Sequence, residues 1–509
     1  MNDDLPLRPG WSTFKRFALA AAVIVILSAG ATATVALNTV SGIAEEVFPK
    51  INQINAPKGV VTPVYSGGPQ TFMILGTDRR VGAKDEADRL NPPHSDTILL
   101  VRLDPQRGQT SILSIPRDLM VNITAPNGQL YVNEKINSAY TIGSSLGGAK
   151  GGIVLAAETI EKQVFPELKL NGIIDVNFQG FMKVVDTLGC AYVNVDHHYF
   201  NLNNGSAETN FSNIDLQPGY QRLCYEKALE YVRYRHTDSD FVRVARQQDF
   251  LRNLREQISP EDVLGQIDTV AKAVGHAITS TFHASTTQLI ELAKLVAFSQ
   301  SRPIRQVKFL TTNVDLKLNN ASYVTSTPEL ERQTLDTFLY GHETVRLARA
   351  KPASDGRHRH SSAASGAGTL GLVSTSGRGE AARALASSPI PALYPSLQTA
   401  QSEQQTARSY TLPDQQLHPH HAYVVVWRQN IDGGYYDFQG TDWLNPPLFA
   451  HAHSQTVGGV SYRIVDDGSH IHVVGWRSGG ALYWVTNTLL EELSNDQMLA
   501  LAASAKRVR

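Results

Sequence analysis

The chain has 509 residues, 42% of them hydrophobic and 18% charged, and 46 Lys and Arg against 47 Asp and Glu leave a formal net charge of −1. That length exceeds one ordinary domain and predicts two or three folded units. The even charge balance argues against a general nucleic-acid binder, and two cysteines are too few for a disulfide scaffold or a zinc ribbon.

Residues 1–16 form a short tail containing Arg8, Lys15 and Arg16. Residues 17–40 are uncharged, and the apolar run Phe17–Leu37 is long enough at ~1.5 Å per residue to cross ~30 Å of hydrocarbon. With the basic residues before it, the run predicts a single-pass plasma-membrane protein, its amino terminus cytoplasmic and the rest outside the cell. Cleavage as a signal peptide after Ala31-Thr32-Ala33 is the alternative. Residues 41–70 are a spacer punctuated by Pro49, Pro57, Pro63, Gly67 and Gly68.

The first folded unit is expected over residues 71–346. Phe72–Leu75, Thr97–Leu103 and Thr110–Ile115 are short apolar runs bounded by Gly, Asp or Pro, as buried central strands are. The glycines from Gly143 to Gly152 predict a flexible loop, and Ile153–Val164 an amphipathic helix. Asn171–Val176 predicts a strand, Gln179–Leu188 a helix, Ala191–Val195 a strand and Tyr225–Val232 a helix. Helical patterning resumes from Phe241 to Ile258, restarts at Ser259-Pro260, and recurs near 267–279 and 287–299 before a closing strand at Ile304–Leu310. Strands alternating with helices predict an α/β fold, here a layered α-β-α sandwich around a central mixed sheet. Residues 347–420 are dominated by Ser, Ala, Gly, Arg and Gln and predict a disordered linker. Residues 421–509 predict a small α+β module, with strands at Ala422–Trp427, Val460–Val465, Ile471–Trp476 and Ala481–Thr486 and a last helix capped by Ser494.

Charges in the first unit gather at strand ends: Asp78, Arg79 and Arg80 after the first strand, Asp96 before the second, Arg117 and Asp118 after the third. Strands laid side by side would bring these acids and arginines to one sheet edge. Carboxylates hold a hard cation and guanidinium forks match phosphate oxygens, so such an edge suits a metal ion and a phosphate. Farther on, Arg233 and Arg235 leave a helix end two residues apart, and Gln247 falls one helical turn after Arg243.

Leu75-Gly76-Thr77-Asp78, Ser95-Asp96-Thr97, Ser114-Ile115-Pro116-Arg117-Asp118, Lys135-Ile136-Asn137 and Tyr231-Val232-Arg233-Tyr234-Arg235 followed by Asp240, Arg243 and Arg246-Gln247 form an ordered series. Over about residues 71–258 that series resembles the LytR–CpsA–Psr family. The resemblance implies a membrane-anchored, extracytoplasmic phosphotransferase that moves a glycan phosphate from a polyprenyl-diphosphate carrier onto peptidoglycan, with Mg2+. By the same resemblance Asp78 and Asp96 match magnesium ligands. Arg117, Arg233 and Arg235 match arginines of the transfer site, and Lys135, Arg243 and Gln247 match diphosphate-binding side chains, with Arg79, Asp118 and Arg246 as further candidates. Asp240 is the candidate general base. Three departures from the family's pattern stand out: His94 stands where Arg is usual, Val242 where Gly is usual, and Cys190 and Cys224 where other residues are usual.

Two rival functions share this site: hydrolysis of a lipid diphosphate with water as acceptor, and non-catalytic binding of the lipid carrier by an envelope regulator. The plain structural alternatives are surface ion pairs of the arginines with Glu230, Asp238 and Asp240, and turn or capping roles for Asp78 and Asp96. Cys190 and Cys224 are expected to form a disulfide in an exported domain. His418, His420 and His421 are expected to be the polar end of the linker, with no acidic ligands framing them. Trp427, Trp476, Tyr483 and Trp484 fall at strand spacing, as core residues do.

Overall fold

A computed structural model describes residues 52–57, 59–65, 67–78, 93–202, 213–234, 240–257, 278–281, 304–318, 321–341, 370–429, 434–467 and 470–508. The chain divides into two compact units: Met1–Gly189 with Ile258–Thr344, and Cys190–Gln257 with Val345–Arg509. The first unit was expected over residues 71–346. Its stretch 190–257 belongs with the carboxy-terminal half.

In the first unit a seven-stranded mixed sheet runs in the order Asn52–Gln53, Ile278–Ser280, Gly172–Asn177, Gln70–Thr77, Ser95–Asp104, Gln109–Ile115, Ile304–Val307. Gln70–Thr77 lies parallel to Gly172–Asn177 and antiparallel to Ser95–Asp104, which is antiparallel in turn to Gln109–Ile115. These strands are apolar on both faces because both are covered, and Phe72, Leu75, Leu100 and Leu113 are fully buried. Together with the helices Ser138–Thr159, Phe178–Thr187 and Pro328–Tyr340 this is an α/β fold.

The glycines at 143–152 are not the flexible loop their composition predicts. They lie inside Ser138–Thr159, which breaks at Gly147 and Gly148, and a Cβ on Gly143 would collide with the Gly151 carbonyl. Missing side chains here serve close backbone packing between the two halves of the helix. The helices expected over 259–277 and 287–299 lie outside the described residues, and Ile278–Ser280 is a strand.

The expectation of a single-pass plasma-membrane protein is corrected: among the described residues no helix is long and apolar enough to cross a membrane. Residues 17–40, on which that expectation rested, lie outside the described residues, as do residues 1–16 and 41–51.

In the second unit a seven-stranded antiparallel sheet orders Ser402–Pro413, Pro419–Gln429, Tyr435–Thr441, Ala481–Thr486, His470–Ser478, Val460–Asp467 and His453–Val457. The helix Asn495–Ala503 begins with a capping box, Ser494 and Gln497 each satisfying the other's backbone amide. The module is thus mostly strands. Trp427 and Trp484 are fully buried, and Trp476 and Tyr483 nearly so.

Much of the expected disordered linker is ordered. Residues 370–413 form the strand Leu372–Ser374, the helix Arg378–Ala384, two short strands and the sheet-edge strand Ser402–Pro413. The polar composition misled because an edge strand needs few apolar side chains of its own. Ser402–Pro413 instead pairs along its whole length with the apolar Pro419–Gln429. Residues 345–369 lie outside the described residues. The histidines 418, 420 and 421 are also framed by acids, contrary to expectation. His418 and His420 pair with Asp414, and His420 and His421 with Asp442.

The hairpin Ala191–Val195/Gly219–Leu223 packs inside this unit, Tyr192 and Tyr220 clustering with Leu412, Phe449 and Trp484. Asn194 on that hairpin donates to the Asp437 carboxylate and accepts from Gln439, at 2.5 Å each. The Tyr410 hydroxyl accepts from the Tyr220 amide and donates to Gln439. Burial pushes the Asp437 carboxyl up to about 7, against the opposing hydrogen bonds from Asn194, Gln439 and Thr486. The folded state therefore holds a proton that the unfolded chain has released from about pH 4 upward. This contribution to stability is greatest at low pH and is lost as pH rises through 7. Asp437→Asn should flatten the fall in Tm between about pH 5 and 8, which thermal melts would show; an unchanged slope would place that titration elsewhere.

Candidate functional site

In the first unit the candidate residues are placed by strand register. Ile98 pairs with Ile115 across an antiparallel ladder. Two residues farther along, Asp96 and Arg117 face each other, and an Arg117 Nη to Asp96 Oδ1 bond closes at 2.5 Å. Pro116, lacking an N–H, ends the strand just before Arg117. On the other side Thr77 pairs with Ser95 past a bulge at Gly76. The next residue, Asp78, accepts the His94 amide at 2.7 Å. Gly76 is needed at this approach, because a Cβ there would stand 2.9 Å from Thr97 Cβ.

Burial, the largest effect, raises the Asp78 pKa, and the Asp96 charge adds to it, while the His94 amide opposes both. The two acids are therefore close enough to repel. Asp118, nearly buried, accepts Lys135 Nζ at 2.7 Å and stands 3.7 Å from Arg117 Nε. Arg117, Asp96, Asp118 and Lys135 are thus brought together, with Asp78 beside Asp96.

Asp175 was not legible as a site residue. It is fully buried, accepting the Thr77 hydroxyl at 2.8 Å and the Tyr140 hydroxyl at 3.1 Å. A lone acid inside the apolar strand Gly172–Asn177 was the available signal. It fixes the residue just before Asp78.

In the second unit the helices Tyr225–Arg233 and Asp240–Gln257 carry the other candidates. Arg246 and Gln247 point inward to the backbone around Arg233. Arg246 Nη donates to the Tyr234 carbonyl at 2.6 Å, and Gln247 Nε2 donates to the Val232 carbonyl at 3.0 Å. Arg246 is completely buried, its guanidinium 4.4 Å from the Tyr199 ring centre and its Nε donating to the Tyr199 hydroxyl at 2.8 Å. Arg246, expected as a further diphosphate-binding candidate, is thus enclosed, with Nε and one Nη donating to groups inside the protein. Asp196 accepts the Tyr199 hydroxyl at 2.5 Å and lies 3.0 Å from His197 Nδ1. Although burial opposes ionisation, His197 and Arg246 hold the Asp196 carboxyl below its ordinary value.

Arg243 is buried, and Arg233 closes its helix at the Val232–Tyr234 turn. Arg79 and Arg235 lie outside the described residues, as does the side chain of Asp240. Cys190 and Cys224 are bonded. The hairpin register, Ala191 opposite Leu223, sets them across from each other with Cα atoms 4.7 Å apart.

The strand ends of this α/β sheet thus set two carboxylates, hard oxygen donors, beside a guanidinium. The sequence profile of the LytR_cpsA_psr family matches residues 38–338, more than half of the chain, and the chain belongs to that family. It is 27% identical over 245 residues to the polyisoprenyl-teichoic acid–peptidoglycan teichoic acid transferase TagV of Bacillus subtilis, covering 48% of this chain and 58% of TagV. It is 25% identical over 254 residues to biofilm regulatory protein A of Streptococcus mutans, covering 48% of this chain and 58% of that protein. The crystal structure of B. subtilis TagV matches with a TM-score of 0.40 at 24% identity, over 53% of this chain and 96% of TagV's. The chain spans little more than half the length of the curated relatives it matches.

Proposed function

We propose that this chain transfers a glycan phosphate from a polyprenyl-diphosphate carrier to a peptidoglycan hydroxyl. The observation that carries the proposal is the Asp78–Asp96–Arg117 group at the strand ends, in a chain of this family. The acceptor oxygen attacks the phosphorus joined to the glycan. The bond from that phosphorus to the prenyl-phosphate oxygen breaks, and prenyl monophosphate leaves with the bonding electrons. The hydroxyl proton passes to a carboxylate, for which Asp240 is the candidate.

Catalysis of this kind is mostly positioning and charge neutralisation. Asp78 and Asp96 are hard oxygen donors whose mutual repulsion a divalent cation would relieve, a set that fits Mg2+. Bound there, Mg2+ supplies positive charge to the diphosphate oxygens. Arg117, in bonding distance of Asp96, would present its remaining donors to the leaving phosphate, and Lys135 a second cation through Asp118. In its own unit Arg233 lies between Val232 and Tyr234, whose carbonyls accept from Gln247 and Arg246, and it remains a candidate diphosphate contact by resemblance.

Turnover of geranyl-diphosphate-linked N-acetylglucosamine by the full chain, followed by release of prenyl phosphate with and without Mg2+, tests the proposal. Asp78→Asn should remove the metal dependence together with most of the rate, by about 10²-fold. The part of the activity that needs ionised Asp78 should fail, as pH falls, above the usual carboxylate range. An Asp78→Asn variant that keeps the parent's rate and magnesium response would withdraw the metal assignment.

A further inference from the structure

The carboxy-terminal module has no role in the proposed chemistry, yet it reaches the arginine turn. Tyr435 heads the strand Tyr435–Thr441 and stacks on His197, with ring centres 3.9 Å apart and planes within 12°. His197 contacts Asp196, which takes the hydroxyl of Tyr199; that hydroxyl in turn accepts Arg246 Nε. The Tyr199 and Tyr234 rings stack at 4.5 Å and 4°. At the far end Arg246 holds the Tyr234 carbonyl, directly after Arg233. Every link lies within the unit formed by Cys190–Gln257 and Val345–Arg509. Asp196, Tyr199 and Arg246 are buried, so none can exchange its partner for water without loss.

We propose that Tyr435, His197, Asp196, Tyr199 and Arg246 form a positioning relay through which the carboxy-terminal module sets the Val232–Tyr234 turn for a prenyl diphosphate. The ligand class rests on the function proposed above; the relay rests on the contacts alone. Tyr435 is its outermost member and only partly buried, so changing it perturbs packing least. Its part is the flat ring face that holds the imidazole, which phenylalanine also offers and leucine does not.

The test compares full-length parent, Tyr435→Leu and Tyr435→Phe in three measurements: Tm, affinity for geranyl diphosphate with Mg2+, and amide hydrogen exchange over Val232–Tyr234. Tyr435→Leu should melt close to the parent, bind geranyl diphosphate about tenfold more weakly, and exchange faster at the turn, because small misplacements of a charged group are felt strongly. Tyr435→Phe should restore both properties. Unchanged exchange in folded Tyr435→Leu, or a Tyr435→Phe variant that fails in the same way, would overturn the relay. If the parent itself does not bind geranyl diphosphate, the proposed function falls, and the exchange comparison still decides the relay.

Discussion

Replacing Arg117 with alanine should lower the rate of prenyl-phosphate release by about 10²–10³-fold, the loss expected when a fixed donor to developing charge is removed. Arg117 is only partly buried, and its partners Asp96 and Asp118 each retain other contacts, Lys135 among them. The fold should therefore survive the change, and circular dichroism with a melt would confirm it. Arg117→Lys should recover only part of the loss: an ammonium keeps the charge but not the planar fork that, on the proposed function, spans Asp96 and a phosphate. If Arg117→Ala turns over like the parent, the charge at this strand end serves stability alone and the transfer site lies elsewhere.

The second large effect concerns stability. Cys190 and Cys224 are separated by 34 positions and close the loop that contains the hairpin, Asn194 and Asp196. On the chain-entropy account, opening that loop in Cys224→Ser should cost about 4 kcal/mol. Chemical denaturation should show the parent's midpoint dropping to that of Cys224→Ser when dithiothreitol is added, with the variant itself insensitive to reductant. A parent midpoint unmoved by reductant would show that the hairpin is held by its packing on Leu412, Phe449 and Trp484 without help from the bridge.

Most of the first unit was legible because its signals are local. Apolar runs bounded by Gly, Pro and charged residues mark strands wherever they fall, and charges restricted to strand ends must gather where strands end together. Asp78, Asp96 and Arg117 needed only register to meet, and the antiparallel pairing of Ser95–Asp104 with Gln70–Thr77 on one side and Gln109–Ile115 on the other supplied it. Asp175 escaped because one acid in an apolar strand has no meaning until Thr77 and Tyr140 are seen to donate to it. The glycine run from 143 to 152 escaped for a related reason: glycine permits both a loop and a close helix contact, and only the opposing backbone selects one.

The amino-acid sequence by itself determined the alternation of strands and helices, the paired acids and arginine at the strand ends, and the family. Each follows from residue order and spacing, which need no knowledge of what packs against what. Tertiary structure alone decided that Arg246 and Gln247 turn inward to grip the backbone at Arg233. It also decided that residues 402–413 are a sheet edge, and that residues 190–257 share a unit with the carboxy-terminal module. The direction Arg246 faces depends on partners 12 and 47 residues away, and the unit to which residues 190–257 belong depends on partners up to 245 residues away, as with Asn194 and Gln439. Such partners impose no periodicity on the sequence around them.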